Sequence, residues 1–518
     1  MGMVAPKERI ASAYFVICGK YGDVSRYAQE RGVCRQWVYR EAEWVQKHLK
    51  QQEEIRCLEL QVRQLSHSLA ERDQRLAMAV VLDKAKQKEF ASVGEAHGVS
   101  LPTCWDLLDV LIPGQQKSVA TLGRATKAAG QKAGPLLAVL DEWTQERMRD
   151  AAGDEIYVTD PVLMVVEQES LCWMTGRLTA EVSGEAWAGE FRRFPNLEQV
   201  ARDGGKGLQK GVALINAERQ AQGKSLVVDK GDHFHALRSG SVGLRKDEKQ
   251  AAKALAEAVA AQKELEECQR QGTSEHSATL HATCAWRKAE GAMDTWCARE
   301  QLWHKTKEAL RLFTPAGDLN TRAQATAVLD ETLAQLPDAF EKTKRQLRKP
   351  EMLNFLDHVQ GQLKDLAFPE EVKQAAVRQE GLRRRPELLR GEGSQAAALR
   401  GVLLVCAVVL TQAQEVGQQA QAAVRDIIRR AYRASSLVEC INSVVRMHQS
   451  RHRKMTQGLL DLKRLYWNCH TFRTGRRRRT TPYGRLGIAW PEGLHWWEVL
   501  KLTPEQLREK LSTAKNAK

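Results

Sequence analysis

The chain reads as a mostly α protein with one α/β domain, and three observations predict this. Of 518 residues only 14 are Pro and 6% are aromatic, against 43% hydrophobic and 28% charged, a balance typical of packed helices with polar outer faces. Long stretches such as KDEKQAAKALAEAVAAQKELEECQ are rich in Ala, Gln, Glu and Lys. From residue 154 that texture gives way to short β-rich runs, EIYV, PVLMVV and LCWMTGRL, separated by turn residues. The length exceeds one ordinary core, so several domains are expected.

Composition also narrows the function classes. Lys plus Arg number 79 and Asp plus Glu 64, a net charge of +15 that favours an acidic partner, with nucleic acid first. The 11 cysteines run from Cys18 to Cys469 with no CxxC pair, which argues against a zinc ribbon or a disulfide framework and for a reducing cytoplasm. The first 20 residues lack the apolar core and cleavage site of a signal peptide. The longest apolar run, GVLLVCAVVL at 401–410, is about half the length of a membrane span and predicts a buried helix, so no membrane partner is expected.

Residues 1–46 predict a helix-turn-helix domain. Ile10, Ala13, Phe15, Val16 and Ile17 supply an apolar face, Asp23 is placed to cap a second helix, and Gly32 ends it. Between Ala28 and Arg40 the small Ala allows close helix packing, the Gly allows a left-handed turn, and Val33 and Val38 point to the core. Arg35, Gln36, Tyr39 and Arg40 are left on the outer face of the third helix, where they can reach bases or phosphates. Residues 47–85 predict a coiled coil, with Ile55, Val62, Leu69 and Leu76 seven apart and Leu58 and Leu65 between them. Two reading heads on a dimer suit paired DNA sites. Residues 86–150 predict a second helical domain, opened by a Gly98-Val99-Ser100 turn, which is either a further DNA-binding unit or a connector.

Residues 151–240 predict three strands, a helix, a strand, a helix and a fifth strand, an α/β sheet with an antiparallel opening. Residues 241–430 are again helical and carry Trp286, Trp296 and Trp303. Trp296 and Trp303, seven apart, read as core packing or as an aromatic surface that stacks on a base. Residues 431–490 form a basic amphipathic segment with an Arg-rich loop, and residues 491–518 end in one short helix.

Three acids stand where a metal site can be assembled. Asp154 is expected to begin the first strand, Asp203 to end the fourth before Gly204-Gly205, and Glu439 to lie on the helix SSLVECINSVVR. First and fourth strands can be neighbours in such a sheet, and a helix across them can bring a third carboxylate. Hard oxygen ligands suit two Mg²⁺ or Mn²⁺ ions, which can activate a water or a 3′-hydroxyl at phosphorus. His233 and His235 in GDHFHALR read as a polar strand end or as support for the site. GGKGLQKG lacks the GK[ST] ending of a P-loop, and Ser435 and Ser436 sit in no nucleophile elbow.

The stretches DEIYVTDPVLMVVEQESLCW, NLEQVARDGGKGLQKG, SSLVECINSVVR and LDLKRLYWNCHTFRTGRRRRTTPYGRLGI, in this order, resemble bacterial insertion-sequence DDE transposases. The resemblance covers residues 154–240 and 430–488. It implies a ribonuclease H-like α/β core interrupted by a large all-α insertion, with Asp154, Asp203 and Glu439 as catalytic and metal-binding acids. Asp160 is the rival for the first position, and Asp232 is a supporting acid or a rival for the second. The 236 residues from Asp203 to Glu439 resemble the subset of the family that carries a helical insertion. The implied function is binding of transposon inverted-repeat ends, metal-dependent strand cleavage, and transfer of the freed 3′-OH to target DNA. The chain would act as a homodimer or higher homo-oligomer in the cytoplasm, at the bacterial nucleoid. The alternative is a catalytically inactive or domesticated relative acting as a dimeric DNA-binding regulator.

The charge is local. Residues 1–46 hold seven bases and five acids, whereas 446–485 hold 12 Lys or Arg and one acid, Asp461. Arg446, Arg451, Arg453, Lys454, Arg476, Arg477, Arg478 and Arg479 are therefore expected to hold the DNA backbone beside the third acid.

Overall fold

Residues 4–78, 82–158, 160–431, 435–449, 454–475, 477–491 and 493–516 are described in a computed structural model. By its contacts the chain divides into a unit ending at Asp83 and a unit beginning at Lys84.

The first unit holds α1 (Pro6–Ile17), α2 (Asp23–Glu30) and α3 (Arg35–Met78). Ala13, Tyr27, Ala28 and Val38 are buried, with Phe15, Val16, Val24, Val33 and Trp37 packed around them. Phe15 stacks on Tyr27 with centroids 4.6 Å apart. Gly32, at φ +67°, makes the left-handed turn between α2 and α3. Two expectations need correction. Ile10 and Ile17 are exposed, because α1 turns Ser12, Ala13, Phe15 and Val16 inward instead. Asp23 is the first residue of α2 and not its cap, and its carboxylate accepts a hydrogen bond from the Lys20 N–H at 2.6 Å. The third helix of the head does not stop at residue 46: α3 runs unbroken for 44 residues. Along it Ile55, Leu58, Val62, Leu65 and Leu69 are exposed, while the side chain of Leu76 lies outside the described residues.

The second unit begins with α4 (Lys84–Ala96), α5 (Leu101–Leu111) and α6 (Val119–Thr144). The predicted turn is present: Gly98 has φ +88° and the Ser100 hydroxyl caps α5. These helices do not stand apart from the strands. Ala96, Ala133, Leu136, Leu137 and Leu140 belong to the same core as one face of the sheet.

The sheet contains β1 (Asp150–Tyr157), β2 (Pro161–Glu167), β3 (Trp173–Leu178), β4 (Gln199–Arg202) and β5 (Val228–Gly231), in the order β3-β2-β1-β4-β5. β1, β2 and β3 are antiparallel, and β4 and β5 run parallel to β1 and to each other. The helices α7 (Gly184–Arg192) and α8 (Lys206–Ala221) make the crossovers. Because side chains alternate along a strand, Ala151 enters the core with Trp187, Leu208 and Val212, while Ala152 and Ile156 face the opposite way.

After β5 come eight helices: α9 (His233–Gln271), α10 (His276–Ala309), α11 (Arg322–Gln335), α12 (Glu341–Leu347), α13 (Asn354–Lys364), α14 (Glu370–Arg384), α15 (Ser394–Gln412) and α16 (Gln414–Arg429). They have their own core around Trp303, Phe313, Phe340, Phe355 and Val424. Trp303 is fully buried over Gly240, which excludes it as a stacking surface, whereas Trp286 is partly exposed and Trp296 half-buried on the same α10. The run at 401–410 is not a buried helix as expected. α15 buries Leu399, Cys406 and Leu410 but exposes Leu404, Val405 and Val408, at 68%, 63% and 54%, because neighbours cover one side only. Among the described residues it is also the one helix with the length and apolar composition to cross a membrane.

The C-terminal part supplies α17 (Ser436–Gln449), α18 (Gln457–Cys469), α19 (Pro482–Arg485), α20 (Trp496–Val499) and α21 (Pro504–Asn516). The expected helix SSLVECINSVVR is α17, the basic flank after it carries α18 and α19, and the expected single final helix is two. Val438, Ile441 and Val445 of α17 and Leu460 of α18 cover the Ala152–Ile156 face of the sheet. α18 crosses α6 where Gly130 meets the Gly458 backbone, and Arg464, further along α18, pairs with buried Asp141 of α6.

The crossing makes a test. A Cβ on Gly130 would lie 2.5 Å from the Gly458 carbonyl oxygen, so Gly130→Ala is expected to destabilise the chain by about 1–3 kcal/mol. Gly189→Ala, on α7 with nothing within 4 Å, is expected to be neutral or stabilising by up to about 1 kcal/mol. Urea unfolding of the two variants checks the contrast.

Candidate active site

Two parallel strands position the first two acids. The β1–β4 ladder ends at Gly153 opposite Arg202, so Asp154 and Asp203 are the next residues on the two neighbouring chains, at the carboxyl end of the strands. Asp154 is the fifth residue of the eight-residue β1 and does not begin it, which corrects the expectation. It lies on the face of Ala152 and Ile156, the face covered by α17. Glu155 points to the other side, where its carboxylate accepts from the Trp187 indole at 2.9 Å. Asp203 follows β4 directly and accepts the Gly205 N–H at 2.9 Å, just before α8 begins.

Glu439 stands in the first turn of α17. Its carboxylate pairs with Arg446 at 2.6 Å and lies 3.8 Å from His235 Nε2. One turn on, buried Asn442 donates its amide to Asp154 Oδ2 at 2.7 Å, while the Glu155 N–H donates to Oδ1 at 2.8 Å. Burial, and then the charge of Asp203, push the Asp154 carboxyl up to about 6. The two hydrogen bonds oppose this rise and the charge of Glu439 adds to it. The three acids therefore share one electrostatic field.

Asp232, the supporting acid or rival for the second position, lies at the start of α9 after β5. It caps α9, accepting from the Phe234 N–H at 2.6 Å, and it also binds His235 Nδ1 at 2.8 Å and the Ser435 N–H and hydroxyl. Burial works against its ionisation, but the bonds from His235 and Ser435 prevail and hold it below its usual value. The bond to Asp232 raises His235, with the charges of Asp154 and Asp203 adding to it. The histidines open a helix and not a strand end, so they diverge: His233 is buried against Met352 and Phe355, while His235 turns to the acids. Asp160, the rival for the first acid, is exposed in the β1–β2 hairpin.

Arg35, Gln36, Tyr39 and Arg40 are exposed on α3, with Arg35 donating to Ser25 Oγ and Arg40 near Glu41. Lys454, Arg478 and Arg479 are exposed, and Arg477 reaches the Glu169 carbonyl. Arg451, Arg453 and Arg476 lie outside the described residues. The basic run is not all surface. Lys463 is buried on the carbonyls of Glu95 and Ala96, and Arg464 is buried on Asp141.

Counting only His, Cys, Asp and Glu, no group of three among the described residues is gathered closely enough to hold a metal ion. Asn442 escaped sequence reading, as did the pairing of Asp232 with His235, two residues named singly. The first was signalled by its i, i+3 spacing from Glu439, the second by an Asp-x-x-His at a helix start. No family model matches the chain, and neither the curated proteins nor the solved structures contain a match to it.

Because Asp154 sits at about 6 in the folded chain against an ordinary 3.8, the folded state holds the proton more tightly than the unfolded one. Stability attributable to this group therefore falls as pH rises from about 4 to about 6, and stays lowered at pH 7. Asp154→Asn removes the effect. Relative to wild type it is expected to gain on the order of 2 kcal/mol between pH 4 and pH 7, measured by denaturant unfolding at both.

Proposed function

We propose that the chain is a DNA transposase of the DDE type, with a ribonuclease H-like core interrupted by the helical insertion α9–α16. The observation that carries this reading is the placement of Asp154 and Asp203 side by side on parallel β1 and β4, with Glu439 brought over the same strand ends by α17. Besides burial, the charges of Asp203 and Glu439 raise the proton affinity of Asp154, and a divalent cation relieves such crowding of carboxylates. The donor set is oxygen-rich and free of thiolates, which fits Mg²⁺ or Mn²⁺. Such ions, held by Asp154, Asp203 and Glu439, would supply Lewis acidity at the scissile phosphate and an activated water or 3′-hydroxyl.

The chain's own residues bind and orient. Arg446 stands beside the acids and is half-exposed, so a DNA phosphate can compete with Glu439 for its guanidinium. Lys454, Arg478 and Arg479 extend the basic surface, and Arg35, Gln36, Tyr39 and Arg40 form the reading edge of the head. The exposed seam of α3 is the self-association surface, giving a homodimer or a higher oligomer that pairs two ends.

Incubation with end-sequence DNA and Mg²⁺ tests the reading by gel analysis of nicks and joined products. Asp203→Asn and Glu439→Gln are expected to abolish cleavage and leave end binding nearly intact, and full cleavage by either variant removes that residue from the mechanism. The double variant Val62→Glu, Leu65→Glu is expected to sediment as a monomer while the parent chain sediments as a dimer or larger. Equal sedimentation would rule out the α3 seam.

A further inference from the structure

Resting on the metal-dependent reading above, we infer that Asn442 is a neutral oxygen ligand of the site, acting on the metal directly or through a bound water. Asn442 is completely buried on the sheet-facing side of α17, one turn beyond Glu439. Residues three apart on a helix share a face, so the two side chains reach the same strand ends. The amide nitrogen of Asn442 is committed to Asp154 Oδ2 at 2.7 Å. Its carbonyl oxygen is buried and has no hydrogen-bond partner among the described residues.

That oxygen is the informative atom. A buried acceptor without a donor is costly, and native structures keep one where a water, an ion or a functional role accounts for it. This one belongs to an amide that already touches the first acid, so it is fixed beside the carboxylate cluster. An amide oxygen is a hard, uncharged donor of the kind that Mg²⁺ and Mn²⁺ accept. Being neutral, it adds a ligand without adding to the negative charge of Asp154, Asp203 and Glu439. An apolar residue of similar shape would fill the same space under the sheet, so packing alone does not require an amide here.

The test is Mn²⁺ binding to the full chain without DNA, followed by electron paramagnetic resonance of the free ion, for wild type, Asn442→Leu, Asn442→Asp and Asp203→Asn. Asn442→Leu keeps the shape and removes the oxygen, and is expected to weaken Mn²⁺ about tenfold. Asn442→Asp keeps an oxygen and is expected to bind at least as tightly as wild type. Weaker binding by Asn442→Asp overturns the inference, whether or not the Leu variant folds. Wild-type affinity in folded Asn442→Leu, together with weakened binding in Asp203→Asn, overturns this inference alone. Absence of Mn²⁺ binding by the wild type overturns the metal-dependent reading and the inference with it.

Discussion

The arrangement of the candidate site depends on how the chain returns to the sheet after the helices α9–α16. Arg430, at the end of α16, grips Asp150 at the start of β1 with two nitrogens at 2.8 and 2.9 Å and reaches Glu198 just before β4 at 2.5 Å. Gln199 binds Asp150 and the Arg430 carbonyl, and buried Lys230 of β5 donates to Gln199. Three parallel strands and the returning chain thus share one buried polar network. Removing a single partner would leave an uncompensated charge, which is why such a clamp is sensitive to substitution. Five residues later Ser435 is bonded to Asp232 after β5, and α17 begins. The chain that leads into the Glu439 helix is therefore held at both ends of the parallel strands.

From that anchorage the electrostatics of the site follow. α17 lays Val438, Ile441 and Val445 on the sheet, and the same helix brings Glu439 and Asn442 to Asp154. The apolar contacts provide the free energy that holds a carboxylate cluster together against its own repulsion. Arg446 pairs with Glu439, and His235 lies between Glu439 and Asp232. Asp154 is held instead by the neutral N–H donors of Glu155 and Asn442, and it carries the raised proton affinity.

Much of the fold was legible because its signals are local. The turn at Gly32, the inward Val33 and Val38, the order of strands and helices from residue 150 to 231, and the turn at Gly98 before α5 follow from residue type and spacing over a few positions. Errors arose where a local pattern met a distant partner. The 401–410 run has core-like composition, yet only one side of α15 finds neighbours. Lys463 and Arg464 lie in the basic run, but each is buried on acceptors more than 300 residues away in sequence. His233 and His235 alternate in sequence as a strand would, and Asp232 turned that segment into a helix by capping it.

The sequence by itself determined which side chains are on hand: Asp154, Asp203 and Glu439, no CxxC pair, and a basic run that follows Glu439. Spacing along the chain specifies helix faces and strand alternation, which are periodic and local. Only the tertiary structure decided which acid stands beside which. The parallel register of β1 and β4, the docking of α17 and the Arg430 clamp are contacts between residues 49 to 288 positions apart, and no local period encodes them. The same long-range geometry joined Asp232 to Ser435, put Asn442 on Asp154, and buried Lys463 and Arg464.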